Sequence, residues 1–560
     1  MPDPTDRLLF AQTVGRPMLR PAALVLLASC WLALIGNLPL WRTVWPLPEL
    51  AGWRGLAFAV GLFAWIVAAL SMLLSLLAWN RIFKPVLLLL LLTAAANSYF
   101  MLQYGVVIDA TMMANVVNTD AREVRDLVSW TLLLNLLVLA LLPGWWLMRQ
   151  QLVQRRWWPQ AWRNLVGAGV ALVVLVLLTL LMYQDLASLM RNHKQVRYLV
   201  NPLNSLYASA KLALDRVPHA RRELQAIGLD ARLGASHAQA GRTPLVLLVV
   251  GETARAANFS LGGYGRKTNP QLEKLGNDEA LTYYGAVRSC GTNTQASLPC
   301  MFSHLGKQAF EATGQPYENL LDVLQRAGLA VLWIDNQSGC KGLCDRVAQA
   351  TTYDLKLPGL CAEGECFDDI LLEDLDQRIA ALDPVRRARG VVVVLHQMGS
   401  HGPAYYRRSP VAYKTFLPEC TSNVLQDCSR AQLLNAYDNS LVYTDHLLAR
   451  SARWLQAKAA QERLDTAMIY VSDHGESLGE NNLYLHGLPY ALAPATQTHV
   501  PMLSWLSSAM RTRLSLRPGC LRQNAGAALS HDNLFHAMLG LLDVQTSLYD
   551  PRLDWFAVCR

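Results

Sequence analysis

Apolar residues crowd the first third of the chain in long runs, whereas the remainder alternates short apolar runs with longer mixed segments. Five runs, at residues 21–41, 56–79, 85–107, 131–148 and 165–182, are long enough for helices crossing a hydrocarbon core, which takes about 20 mostly apolar residues. From Pro244 onward the runs at 245–250, 330–334, 391–395 and 468–471 have the length of strands buried on both faces, and the segments between them can supply crossover helices. The pattern predicts an N-terminal α-helical transmembrane domain of five helices and a C-terminal α/β domain with a mainly parallel sheet. The predicted boundaries are 1–186 for the transmembrane domain, 187–243 for interfacial helices and a linker, and 244–560 for the α/β domain.

Composition agrees with a membrane part, since 52% of the 560 residues are hydrophobic. The first apolar run is longer than a signal-peptide core and no small-x-small site follows it, so the N-terminus is expected to stay attached. Basic residues set the orientation. Arg7, Arg16 and Arg20, then Arg81 and Lys84, then Arg149, Arg155, Arg156 and Arg163 mark three segments retained in the cytoplasm. The segment after the third run carries Asp109, Asp120, Glu123 and Asp126 against Arg122 and Arg125 and is expected outside. An odd number of spans places everything after Met182 outside as well. Between Met182 and Pro244, Arg191, Lys194, Arg197, Lys211, Arg216, Arg221 and Arg222 are interleaved with Leu199, Leu203, Leu206 and Tyr207, which suits either helices on an anionic membrane surface or a solvated linker. No nucleic-acid partner is expected for the net charge of +8.

Cysteines test the topology independently. Ten of eleven lie in the C-terminal part, and Cys290 with Cys300, Cys340 with Cys344, Cys361 with Cys366 and Cys420 with Cys428 are close pairs. Cys520 and Cys559 can form a fifth, longer bridge, and Cys30 in the first run is expected to be free. Local disulfides in an oxidising compartment fit this spacing, and a cytosolic zinc ribbon would need C-x2-C repeats that are absent.

Ligands in a parallel sheet gather beyond the carboxyl ends of its strands. Glu252 follows the first run, His396 and His401 the third, and Asp473 and His474 the fourth. One histidine after a strand is usually a structural residue, but recurrence at successive strand ends points to a metal site. Its nucleophile would come from Ser289-Cys-Gly-Thr-Asn-Thr-Gln-Ala-Ser-Leu-Pro-Cys300, read as a loop entering a helix, where amides favour a phosphate and where Thr292 and Thr294 can equally be helix caps. Asn115, Thr119 and Glu123 are spaced to share one face of a helix.

The strings Val250-Gly-Glu-Thr-Ala-Arg, Cys290-Gly-Thr-Asn-Thr, Asp335-Asn-Gln-Ser-Gly-Cys-Lys, Leu395-His-Gln-Met-Gly-Ser-His-Gly-Pro, Ser472-Asp-His-Gly-Glu-Ser and Tyr484-Leu-His-Gly-Leu-Pro resemble the lipid A phosphoethanolamine transferases, the group that includes the mobile colistin-resistance enzymes. The resemblance spans nearly the whole chain. It implies an alkaline-phosphatase/sulfatase-like catalytic domain in the periplasm, anchored in the bacterial inner membrane. It further implies that Thr294 is the nucleophile, that Glu252, Asp473 and His474 complete a zinc site with its hydroxyl, and that Lys341, His401 and His486 line the phosphate site. One zinc ion is implied as tightly bound, with His401 and His486 able to contribute to a second, weaker position. Asn115, Thr119 and Glu123 are implied to hold the ethanolamine headgroup, Glu123 pairing with its ammonium. His396 is left as a structural residue, and Gln337 is given no role because it departs from the family pattern.

The implied reaction takes phosphoethanolamine from phosphatidylethanolamine onto Thr294, releases diacylglycerol as His401 or His486 protonates the departing oxygen, and passes the group to a lipid A phosphate of lipopolysaccharide. Reduced negative surface charge would then weaken binding of cationic peptides such as polymyxin. Transfer to core oligosaccharide or another envelope glycan, and phosphoglycerol transfer, are the alternatives. A sulfatase would need a C-x-P-x-R maturation site, which is absent.

Overall fold

The computed structural model describes residues 19–79, 81–119, 121–153, 156–216, 223–239, 241–276, 279–352, 355, 357–362 and 365–560. Arg7, Arg16, Asp120, Arg155, Arg221 and Arg222, all used in the charge reading above, lie outside the described residues. Two compact units result: Met1–Leu102, Val107–Asp109 and Ser129–Ala210 form one, and Gln103–Val106, Ala110–Val128 and Lys211–Arg560 form the other.

The first unit is helical. Among the described residues four helices are long and apolar enough to cross a membrane: Gly52–Leu76, Phe83–Tyr104, Trp130–Arg149 and Trp157–Leu181. The first predicted span differs, because it is broken into Pro21–Leu34 and Leu38–Val44 with a bend of 48°. Pro39 explains the break, since it has no N–H to continue the ladder and its ring crowds the preceding turn. The Asn37 side chain satisfies backbone at the break and ties it to a distant segment: Nδ2 donates to Leu32 O at 2.8 Å and to Asn201 O at 2.6 Å, and Asn201 N donates to Asn37 Oδ1 at 2.7 Å. Cys30 is a free thiol.

The second unit is built on an eight-stranded sheet. Its strands are β1 (Pro244–Gly251), β2 (Leu281–Arg288), β3 (Ala330–Asp335), β4 (Ala348–Thr351), β5 (Val391–His396), β6 (Asp465–Ser472), β7 (His499–Leu506) and β8 (Leu529–Ser530). The spatial order is β8-β2-β7-β6-β1-β5-β3-β4. The four runs legible in the sequence are the adjacent central strands β6, β1, β5 and β3, parallel to one another and buried throughout. The sheet is mixed because β7 runs antiparallel to both β6 and β2. Pro501 falls in β7 where the pairing with β2 shifts register between Val500 and Met502, so its missing N–H coincides with a bulge.

The segment Ala110–Val128 belongs to this second unit. It is not one continuous helix, as the spacing of Asn115, Thr119 and Glu123 suggested, but two, Ala110–Asn118 and Ala121–Leu127. Thr119 lies between them and turns its hydroxyl back onto Asn115 O at 2.8 Å, a local bond that competes with helix continuation. All five disulfides are formed: Cys290–Cys300, Cys340–Cys344, Cys361–Cys366, Cys420–Cys428 and Cys520–Cys559.

Candidate active site

Parallel strands deliver the site at their carboxyl ends. Glu252 leaves β1, Asp473 and His474 leave β6, and all three side chains are fully buried. Gly399, in the loop after β5, makes this possible, since it has φ +54° and a Cβ there would meet Glu252 O at 2.6 Å. Their ligand atoms lie within 4.8 Å of one another. His474 Nε2 is 3.3 Å from both Glu252 Oε1 and Asp473 Oδ2. His474 Nδ1 faces Gly475 O at 2.9 Å, an acceptor that fixes the proton on Nδ1 and leaves the Nε2 lone pair turned into the cluster when the ring is neutral.

Thr294 opens the helix Thr294–Met301, but Asn293 is the cap, its side chain accepting from Ala296 N at 2.9 Å. Thr292 is no cap either, because its hydroxyl donates to Leu488 O at 2.7 Å. Thr294 Oγ1 is therefore available to donate to Glu252 Oε2 at 3.1 Å, and it lies 3.5 Å from His474 Nε2. Two carboxylates, an imidazole and a hydroxyl form a donor set that suits zinc.

Electrostatics say the same. Burial, followed by the charge of Glu252, pushes Asp473 up to about 7. Burial would lift Glu252 too, but the hydrogen bond and charge of His474 outweigh it and hold that carboxyl below its ordinary range. His474 is raised to about 10, since Asp473 and Glu252 outweigh the burial that would lower it. Two buried carboxylates beside one imidazole leave the cage with surplus negative charge, which suits a cation. Asp473 Oδ2 is buried and accepts no hydrogen bond, with His474 Nε2 3.3 Å away, so it retains capacity to bind a cation.

Beside this cage His486, His401 and Glu123 form a wall of successive contacts. The His486 ring lies tilted against that of His474 with centroids 4.3 Å apart, and the His401 ring meets His486 edge-on at 5.6 Å. His401 Nε2 is 3.9 Å from Glu123 Oε1. Lys341 Nζ donates to Ser338 O at 3.0 Å and to Ser338 Oγ at 2.9 Å. Asn115 and Thr119 bond each other, and the neighbouring Asn118 donates to Gln295 Oε1 at 2.9 Å, next to Thr294. His396 is buried at the end of β5, its Nδ1 2.9 Å from Asp335 Oδ2, a pairing in which Asp335 is lowered to about 2 because His396 outweighs burial.

Two wall residues had no role in the sequence reading. Gln337 donates to Glu123 Oε1 at 3.3 Å and so links the Lys341 loop to Glu123. Glu476 is fully buried, and its Oε2 lies 3.3 Å from His486 Nδ1. Its place in Ser472-Asp-His-Gly-Glu, three residues beyond Asp473, was the available signal. Burial first, then the charges of His474 and His401, lowers His486 well below the ordinary imidazole range, so this ring is neutral.

Known proteins resemble this chain along nearly its whole length. Residues 244–544 match the Sulfatase family, and residues 66–217 match the family Phosphoethanolamine transferase EptA/EptB. The chain is 38% identical to Phosphoethanolamine transferase EptA of Salmonella typhimurium, across 99% of each chain. It is 36% identical to Phosphatidylethanolamine transferase Mcr-1 of Escherichia coli, covering 94% of this chain and 96% of the other. The solved integral membrane lipooligosaccharide phosphoethanolamine transferase A of Neisseria meningitidis superposes with a TM-score of 0.91 at 35% identity, over 97% of this chain and 100% of that one. With apolar helices, a sulfatase-like domain and full-length likeness in agreement, the chain belongs to the EptA family of phosphoethanolamine transferases.

Proposed function

We propose that this enzyme moves phosphoethanolamine from phosphatidylethanolamine to a lipid A phosphate through a covalent intermediate on Thr294. The observation that carries this reading is the Thr294 hydroxyl, seated at a helix N-terminus 3.1 Å from Glu252 and 3.5 Å from His474. Glu252, Asp473, His474 and Thr294 would hold a zinc ion, which when bound supplies Lewis-acid activation of a hydroxyl and neutralisation of phosphoryl charge.

Thr294 Oγ attacks the phosphorus in line while its proton leaves along the existing hydrogen bond toward Glu252. The bond from phosphorus to the diacylglycerol oxygen breaks, and that oxygen takes a proton as diacylglycerol departs. His401 is the better placed of the two histidines to give it, because His486 is held neutral whereas His401 Nε2 faces the Glu123 carboxylate. Lys341 neutralises phosphoryl charge, and amides at the helix start add to it. Glu123, beside His401 and braced by Gln337, is the partner for the ethanolamine ammonium, with Asn115 and Thr119 on the same segment. In the second half a lipid A phosphate oxygen attacks the intermediate and Thr294 Oγ leaves, which makes the kinetics ping-pong. His401 and His486 also suit a second, weaker metal position.

The broken pair Pro21–Leu34 and Leu38–Val44, counted as one span, gives five crossings. That count, with the basic segments inside, supports a catalytic unit in the periplasm, and the five disulfides favour the same compartment. Lipid A as acceptor is supported by the lipooligosaccharide named for the Neisseria enzyme. Transfer to a core sugar is the second reading, supported by 29% identity to Kdo(2)-lipid A phosphoethanolamine 7''-transferase of Salmonella typhimurium over 82% of this chain. The mass of lipid A from a polymyxin-sensitive host expressing the chain separates the two, and a modified lipid A should accompany reduced polymyxin susceptibility.

Intact-mass measurement of the protein incubated with phosphatidylethanolamine tests the intermediate. One phosphoethanolamine should be gained by wild type and not by Thr294→Ala or by chelator-treated protein. Release of diacylglycerol with no adduct in wild type, under quench conditions that trap a phosphothreonine diester, would overturn the covalent route.

A further inference from the structure

The helix Ala121–Leu127 carries Glu123 and, three residues on and therefore on the same side, Asp126. Asp126 is buried, 3% exposed, and its Oδ2 receives Arg408 Nη2 at 2.6 Å. Arg408 is 6% exposed and spends its other nitrogens with equal definition: Nε donates to His401 O at 2.8 Å and Nη1 to Glu365 Oε2 at 3.0 Å. Arg407 Nη1 is 3.4 Å from Asp126 Oδ1, and Asn423 Nδ2 donates to Asp126 O at 2.9 Å.

One guanidinium thus joins the helix that bears Glu123 to the backbone of the histidine that Glu123 faces. The contacts close a ring, from Glu123 along its helix to Asp126, through Arg408 to the His401 carbonyl, and back through the His401 ring to Glu123. We infer that Asp126 and Arg408 are positioning residues for the donor headgroup, setting the separation of Glu123 and His401 that an ethanolamine phosphate must span. This rests on the reading of Glu123 and His401 as headgroup and phosphate contacts. A planar fork with three fixed acceptors is a demand that lysine cannot meet, because its ammonium is a single point charge. A brace serving stability alone would leave the donor's KM unchanged when loosened, whereas a brace that sets the pocket changes it.

The test uses the full-length protein in detergent micelles with phosphatidylethanolamine as donor, comparing Asp126→Asn, Arg408→Lys, Glu123→Gln and the double variant of Asp126→Asn with Glu123→Gln. Arg408→Lys keeps the charge in place, so it gives a reading independent of whether Asp126→Asn folds well. Each of these two should raise KM about tenfold with kcat within about threefold of wild type, and Asp126→Asn should add less than twofold to the KM of Glu123→Gln. KM within twofold of wild type, a loss confined to kcat, or KM effects that multiply in the double variant would each overturn the inference. Should Glu123→Gln itself leave KM unchanged, the headgroup reading fails and this inference with it; a KM effect in Glu123→Gln alone defeats only the positioning role.

Discussion

His531 Nδ1 accepts a hydrogen bond from Cys290 N at 3.0 Å, while its Nε2 faces Ser472 O at 3.0 Å. An amide on one side and a carbonyl on the other define a neutral ring protonated on Nε2. This buried imidazole therefore ties the start of the Cys290–Cys300 loop to the end of β6, one residue before Asp473.

Acid should loosen that tie. Burial, with the charges of His474 and Lys307, lowers His531 to about 4, against an ordinary value of 6.5. A depressed base contributes stability that is complete above the unfolded-state value and declines as pH falls from there toward 4, by at most about 3 kcal/mol. Melting temperatures recorded from pH 7.5 to 4.5 should fall more steeply for wild type than for His531→Gln, which is less stable at pH 7.5 but flatter. Parallel curves would assign the acid sensitivity to other groups.

Metal removal should show in stability as well as in turnover. A cation that binds only the folded cage stabilises by about 4 kcal/mol at a thousandfold excess over its Kd. Chelator dialysis is expected to lower the melting temperature of wild type by several degrees and added zinc to restore it. Asp473→Asn, with one carboxylate gone, should respond weakly to both. Equal responses in the two proteins would place the stabilising ion elsewhere.

Lys341 has φ +50°, a left-handed conformation that costs an L-residue about 1 kcal/mol and glycine nothing. Lys341→Gly and Lys341→Ala should lose phosphoethanolamine transfer alike, by about a hundredfold in kcat/KM. Their stabilities should differ, the glycine variant melting higher because the strain is relieved only there. An alanine variant as stable as the glycine variant would show that the loop relaxes without cost.

Much of this was legible in the chain because its periodicities are strong. The four central strands read as apolar runs since they are covered on both faces, and Glu252, Asp473 and His474 could be placed at their ends from position alone. Strand β7 was not legible, because Pro501 within His499–Leu506 argues against a strand unless the bulge is known. The break near Pro39 was lost for the opposite reason, as hydropathy averaged across 21–41 conceals a single missing N–H. Contacts between distant residues with no periodic signature, such as Gln337 with Glu123 and Glu476 with His486, appear only when the loops are assembled.

The bridge between Cys290 and Cys300 encloses Thr294 within its loop. The loop that presents Thr294 is thus finished by an oxidation and not by the folding of β2 and its neighbours alone. In a reducing cytosol the same polypeptide would lack this closure, so the loop is completed only once the domain has reached the oxidising periplasm.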